Sequence, residues 1–146
     1  MAVSIRKITL WRTEVPHRPG GLAEILEPLA AAGADLQTVM GYRIPGQKGR
    51  AVVEVAPLAT RKAARAAEAA GLVPAGAPTL LVLGDNRPGL ANRIARALAA
   101  SGVNIAFLVA QVVGRRYSAV FGFESEADLD KAVDRIRAAV TLRPRR

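Results

Sequence analysis

The sequence predicts an α+β protein of two successive units, each running strand, helix, strand, strand, helix, strand, with the helices on one face of an antiparallel sheet. Two observations predict it. The first is an internal repeat: Pro16-His17-Arg18-Pro19-Gly20 returns 69 positions later as Asp85-Asn86-Arg87-Pro88-Gly89. At the same offset Ile25 pairs with Ile94, Leu29 with Leu98, Gly33 with Gly102 and Leu36 with Ile105, without a gap. Self-similarity at a fixed spacing marks a duplicated structural unit. The second is the hydrophobic pattern, which in both copies passes from a short apolar run to apolar positions at helical spacing.

In the first unit, a strand is expected within Ile5 to Val15. Ile8 and Leu10 point one way and Trp11, Thr13 and Val15 the other, so its register is ambiguous or carries a bulge. Leu22, Ile25, Leu26 and Leu29 form one helical stripe, and Gly33 supplies the stop. Ala34 to Tyr42 and Ala51 to Val55 read as a hairpin around the turn residues Ile44 to Gly49. Thr60 caps a helix to Ala70 whose inner face holds only alanines, so it must pack closely, and Leu72 to Ala75 closes the unit.

The second unit repeats the order: Thr79 to Leu83, a helix from Pro88 to Ser101, Val103 to Val113, Tyr117 to Phe123, a helix from Ser125 to Ala139 and a short strand at Val140 to Leu142. Leu129, Val133, Ile136 and Val140 form the stripe of that last helix, Ser125 with Asp128 resembles a capping box, and Arg143 to Arg146 is expected as a frayed tail. Each unit therefore has the ferredoxin-like βαββαβ order. The boundary falls at Gly76-Ala77-Pro78, giving units 1–76 and 77–146. Uncovered sheet faces and strand edges need partners, which predicts association.

Both Arg-Pro-Gly copies lie where a strand gives way to a helix. Proline at a helix start surrenders a donor that has no intrahelical partner, and glycine lets a ligand approach the backbone. The free N–H groups and the helix dipole favour an anion there, such as a carboxylate. A pair of asparagines, Asn86 and Asn104, at two adjacent loop ends would add donors and acceptors suited to an amino acid's ammonium and carboxylate.

Composition narrows the functional classes. Half of the 146 residues are apolar and aromatics are few, as in soluble globular proteins. No apolar run reaches bilayer length and Met1 to Lys7 has no signal-peptide core, so the expectation is a cytoplasmic protein without membrane contact. The net charge of +9 is spread over both halves, each with six acidic residues against ten and eleven basic ones. That spread points to a solvated arginine-rich surface rather than a nucleic-acid patch. With no cysteine and only His17 as histidine, the chain is read as a non-enzyme without metal or cofactor. Glu124, Glu126, Asp128 and Asp130 flank a helix start, where acids are electrostatically favoured. Arg116 to Phe123 faintly resembles the aromatic strand of RNA-recognition domains, but Leu81 and Leu83 stand where the paired aromatic belongs.

Asn86-Arg87-Pro88-Gly89, followed by Ser101-Gly102-Val103-Asn104-Ile105-Ala106, resembles the ACT domain, a small-molecule-sensing module of amino-acid metabolism. It is especially similar to the C-terminal regulatory module of phosphoglycerate dehydrogenase. Arg18 to Glu24 resembles the same strand-to-helix turn, so the resemblance implies a tandem ACT pair over nearly the whole chain. It further implies an amino acid bound at the turn and an ACT–ACT interface. The residues it points to are Asn86, Arg87, Pro88, Gly89, Asn104 and Ile105 in the second unit, and His17, Gly20 and Asp35 in the first. Gly84 stands where the dehydrogenase module has a histidine, which keeps an amino acid but leaves its side chain open. The implied partners are a second copy, as a homodimer or higher oligomer, and a metabolic enzyme. The alternatives are a ligand-free assembly module and, from another class, a basic RNA-binding protein.

Overall fold

The computed structural model describes residues 3–141. The chain forms two compact units, a first of Thr9–Gly76 and a second that joins 3–8 to 77–141. In the first unit β2 (Trp11–Pro16), β3 (Thr38–Arg43), β4 (Arg50–Ala56) and β5 (Val73–Pro74) make an antiparallel sheet in the order β3-β4-β2-β5. Helices α1 (Gly21–Ala31) and α2 (Arg61–Ala69) complete it. In the second, β6 (Thr79–Asp85), β7 (Ile105–Val113) and β8 (Arg116–Phe123) join β1 (Ser4–Ile8) in the antiparallel order β1-β6-β8-β7, with α3 (Leu90–Ala100) and α4 (Glu126–Thr141).

Two expectations change at the chain ends. The single strand expected within Ile5 to Val15 is two strands, and residues 3–8 join the second unit. Ser4 to Ile8 pairs with β6, Ile5 opposite Val82 and Lys7 opposite Leu80. The cause is the conflicting alternation: Ile5 packs on the second unit's core while Trp11 and Val15 pack in the first's. One period-two strand cannot serve both. The strand expected at Val140 to Leu142 is instead the end of α4, because Ala139 and Val140 extend the helical stripe of Leu129, Ala132 and Ile136. Leu142 and the tail Arg143 to Arg146 lie outside the described residues. The place a closing strand would take beside β6 is held by β1.

Elsewhere local chemistry produces the expected elements. Thr60 Oγ1 accepts from the Ala63 N–H at 3.1 Å and Ser125 Oγ from the Asp128 N–H at 3.1 Å, each satisfying a donor that the helix itself cannot. The close packing expected of α2 is present, with Ala63 and Ala67 fully buried. Leu29 and Leu98, equivalent in the repeat, are both 0% exposed at the centres of their cores. Burying such a side chain contributes about 1.5–3 kcal/mol. Gly122 is required where it stands: a Cβ there would overlap the ring of Phe107, which lies across it.

Candidate functional site

The repeated turn shares three backbone hydrogen bonds between the two units. Gly21 N–H donates to Arg18 O at 3.1 Å and Leu90 N–H to Arg87 O at 3.1 Å; Glu24 N–H donates to Gly20 O and Arg93 N–H to Gly89 O, both at 3.0 Å. His17 N–H reaches Gly49 O and Asn86 N–H reaches Arg115 O, each at 2.8 Å, which pins the strand end to its neighbour. Gly20 and Gly89 are helix N-caps at φ +87° and +79°. That left-handed geometry penalises any residue with a Cβ, so the glycine of Arg-Pro-Gly is dictated by the turn itself.

Under each turn, between the first helix and the sheet, lies a groove. In the second unit it has about 310 Å³ and is lined by Asn86, Leu90, Ala91 and Ile94 on the turn and α3, and by Leu108, Ala110, Gln111, Val112, Tyr117, Ala119 and Phe121 on β7 and β8. No charged side chain lines it. In the first unit the equivalent groove has about 370 Å³ and includes His17, Arg18, Leu22, Gly41, Tyr42 and Arg43. Arg18 forms a bidentate pair with Glu24, at 2.9 and 3.1 Å.

Tyr117 was not expected as a site residue. It sits opposite Gly84 in the register of β6 and β8 and is only 7% exposed. A Cβ on Gly84 would lie 2.9 Å from Tyr117 Cε1 and 3.1 Å from its Oη. The glycine is therefore absent a side chain because the ring occupies that space. The Tyr117 hydroxyl is buried without a hydrogen-bond partner, and burial pushes its pKa up. The sequence signal was Gly84 itself, since glycine inside an apolar strand marks a close approach.

Other expected residues are distributed differently. Asn86, Gly20 and Gly89 are at the turns, with Asn86 and His17 on the groove walls. Arg87 and Pro88 are exposed beside Gly89. Asn104 and Ile105 open β7, at the Phe123 end of the sheet, whereas Asn86 follows β6 at the Arg116 end. The two asparagines of one unit are thus separated by the length of a strand and are not adjacent loop ends. Asn104 Nδ2 donates to Glu124 at 3.2 Å, and Ile105 packs against the core. Asp35 likewise precedes β3 at the end remote from His17, is exposed, and does not line the first groove.

The remaining constellations are accounted for. Glu126 and Asp130 hold Lys7 at 3.5 and 3.0 Å, bracing β1 against α4. Among the described residues no group of three or more acidic or histidine side chains is arranged to hold a metal. Tyr117, Phe121 and Phe123 point into the core at 7%, 3% and 0% exposure, so they offer no stacking face for bases. Among the described residues no helix is long and apolar enough to cross a membrane.

Comparison with known proteins adds a family and a fold. The ACT domain model matches residues 78–141. No curated protein sequence matches the chain. A crystal structure of a protein from Bacteroides thetaiotaomicron superposes with a TM-score of 0.73 at 17% identity, over 92% of this chain and 89% of its own. The ligand-free regulatory subunit of aspartate kinase from Thermus thermophilus gives 0.64 at 17% identity, over 95% of this chain and 97% of its own. The corresponding subunit from Thermus flavus gives 0.60 at 16%, over 96% and 97%. At such identities the likeness is one of fold.

Proposed function

Residues 78–141 are an ACT domain, and on that premise we propose that the chain is a non-catalytic regulatory protein of the cytoplasm. It binds a free amino acid at the turn between β6 and α3 and at an ACT–ACT interface. Binding changes its association with itself or with a metabolic enzyme. The observation that carries the reading is the second unit's groove: it opens beneath a helix N-terminus, carries amides in Asn86 and Gln111 and the Tyr117 phenol, and is otherwise lined by apolar side chains with no charge among them. The free N–H groups of α3 suit the carboxylate, and Asn86 can accept from the ammonium. Asn86 and Asn104 stand at opposite ends of their sheet, so a ligand touching both takes Asn104 from another unit. The fold shared with aspartate kinase regulatory subunits supports a metabolic enzyme as the regulated partner.

The test is a thermal-shift screen against the twenty amino acids at millimolar concentration. A ligand at a hundredfold its Kd stabilises the folded state by about 2.7 kcal/mol. We expect a shift from one chemical group of amino acids, lost in Asn86→Ala and weakened in Asn104→Ala. Absence of any shift rejects the sensor. A second reading, a ligand-free assembly module, is favoured by β7, whose Leu108, Val109, Val112 and Val113 are 44%, 49%, 52% and 70% exposed along a sheet edge. It predicts a stable oligomer by analytical ultracentrifugation that no amino acid perturbs.

A further inference from the structure

We propose that the second unit's groove selects an amino acid with an uncharged, apolar side chain, and that Tyr117 reads the ligand's polar end through its hydroxyl. The inference rests on the amino-acid reading above and names the class of ligand.

Three features converge on it. The walls that would surround a ligand side chain are Leu90 and Ile94 of α3 with Leu108, Ala110 and Val112 of β7. A lysine or aspartate side chain placed there would lose part of its hydration without meeting an opposite charge. An aliphatic side chain would instead cover apolar wall that now faces water.

The second feature is the unpartnered Tyr117 hydroxyl, on a side chain only 7% exposed. A buried polar group without a partner needs an explanation, and a ligand group at the turn is one. The ring lies over Gly84, two residues before Asn86 and on the same face, and Tyr117 and Asn86 line the same groove. The third is the pairing of Gly84 with Tyr117: the glycine's missing side chain leaves the space that the ring occupies, so β8 can place a hydrogen-bonding group on the groove side of β6.

The experiment is isothermal titration of the full chain and of Tyr117→Phe with two sets of probes: L-leucine, L-isoleucine, L-valine and L-methionine, then L-aspartate, L-lysine and L-serine. Phenylalanine keeps the ring and the packing, and a melting curve checks that the variant folds. We expect binding within the first set and none in the second, and at least about tenfold weaker binding in Tyr117→Phe, the loss of one hydrogen bond to a charged group. Binding confined to the second set overturns the apolar class while leaving the amino-acid sensor standing. Apolar binding at equal strength in wild type and Tyr117→Phe overturns the role of the hydroxyl. Failure of every probe removes the sensor reading itself, and this inference with it.

Discussion

At the same place in the two repeats, the sheet holds opposite solutions to one packing problem. In the first unit Val15 on β2 faces Ala51 on β4; in the second Gly84 on β6 faces Tyr117 on β8. Bulk has moved from one strand to its neighbour. The same contrast continues outward. By register, Arg43 stands where the second unit has Val112, Gly41 where it has Ala110, and His17 where it has Asn86. Glu24, which pairs with Arg18, is replaced by Arg93. One groove therefore carries His17, Arg18 and Arg43 among apolar walls, while the other has no charged side chain in its lining. The backbone turn is common to both, and the chemistry beneath it is not, so the two units share a scaffold and differ in what it can hold.

The largest effect should come from forcing the second unit to adopt the first unit's pair. Gly84→Val places branched carbons against the buried Tyr117 ring, which must shift to make room. Overpacking of this kind costs about 1–3 kcal/mol. Adding Tyr117→Ala recreates the Val15 and Ala51 arrangement, so the double variant should be more stable than the sum of its parts by about 0.5–3 kcal/mol. Denaturant unfolding of the four proteins of the cycle measures the coupling. Strict additivity would mean that the two residues do not share one space.

The contrast also explains what could be read without a structure. The turn, the period and the helices were legible because each follows from local chemistry: Arg-Pro-Gly, the stripes through Leu29 and Leu98, the caps Thr60 and Ser125. The first strand was misread because Ser4 to Ile8 and Trp11 to Pro16 are contiguous in sequence but belong to different sheets, a pairing of distant residues that no local pattern carries. Of the residues lining the candidate groove, Asn86 stands out in the sequence by its place in the repeated turn and Tyr117 does not. A tyrosine in an alternating strand reads as ordinary core, and only its register against Gly84 reveals that its hydroxyl has no partner. The adjacency assumed for Asn86 and Asn104 failed for a related reason: both flank strands, but at opposite ends.

A substitution that treats both units alike gives the control. Gly20→Ala and Gly89→Ala have open space around the new methyl, so their cost is that of the left-handed backbone alone. That is about 1–2 kcal/mol for an L-residue. The two variants should lose stability equally in denaturant unfolding. A markedly unequal loss would show that the turns, and not only the grooves beneath them, have diverged.

The smallest effect separates the hydroxyl from the ring. Without ligand, Tyr117→Phe removes a buried group that has no partner, so the variant should be more stable than wild type by about 1 kcal/mol at neutral pH. Its pH dependence sharpens the point. Burial raises the Tyr117 pKa, which favours the neutral phenol in the folded state. That contribution is fully present below the ordinary tyrosine range near pH ~10 and is lost as the pH climbs toward the folded value. Wild type should therefore weaken more steeply than Tyr117→Phe above that range. Tyr42, raised by burial and then by Glu54, is retained in both proteins and leaves a shared alkaline slope. Melting curves from neutral to alkaline pH should show the gap between the two proteins widening in favour of phenylalanine. A saturating ligand that accepts from the Tyr117 hydroxyl should reverse the order at neutral pH, because only wild type then gains the bond. An unchanged order with ligand bound would leave the hydroxyl as a packing defect of the second unit, and the difference between the two grooves would rest on their walls alone.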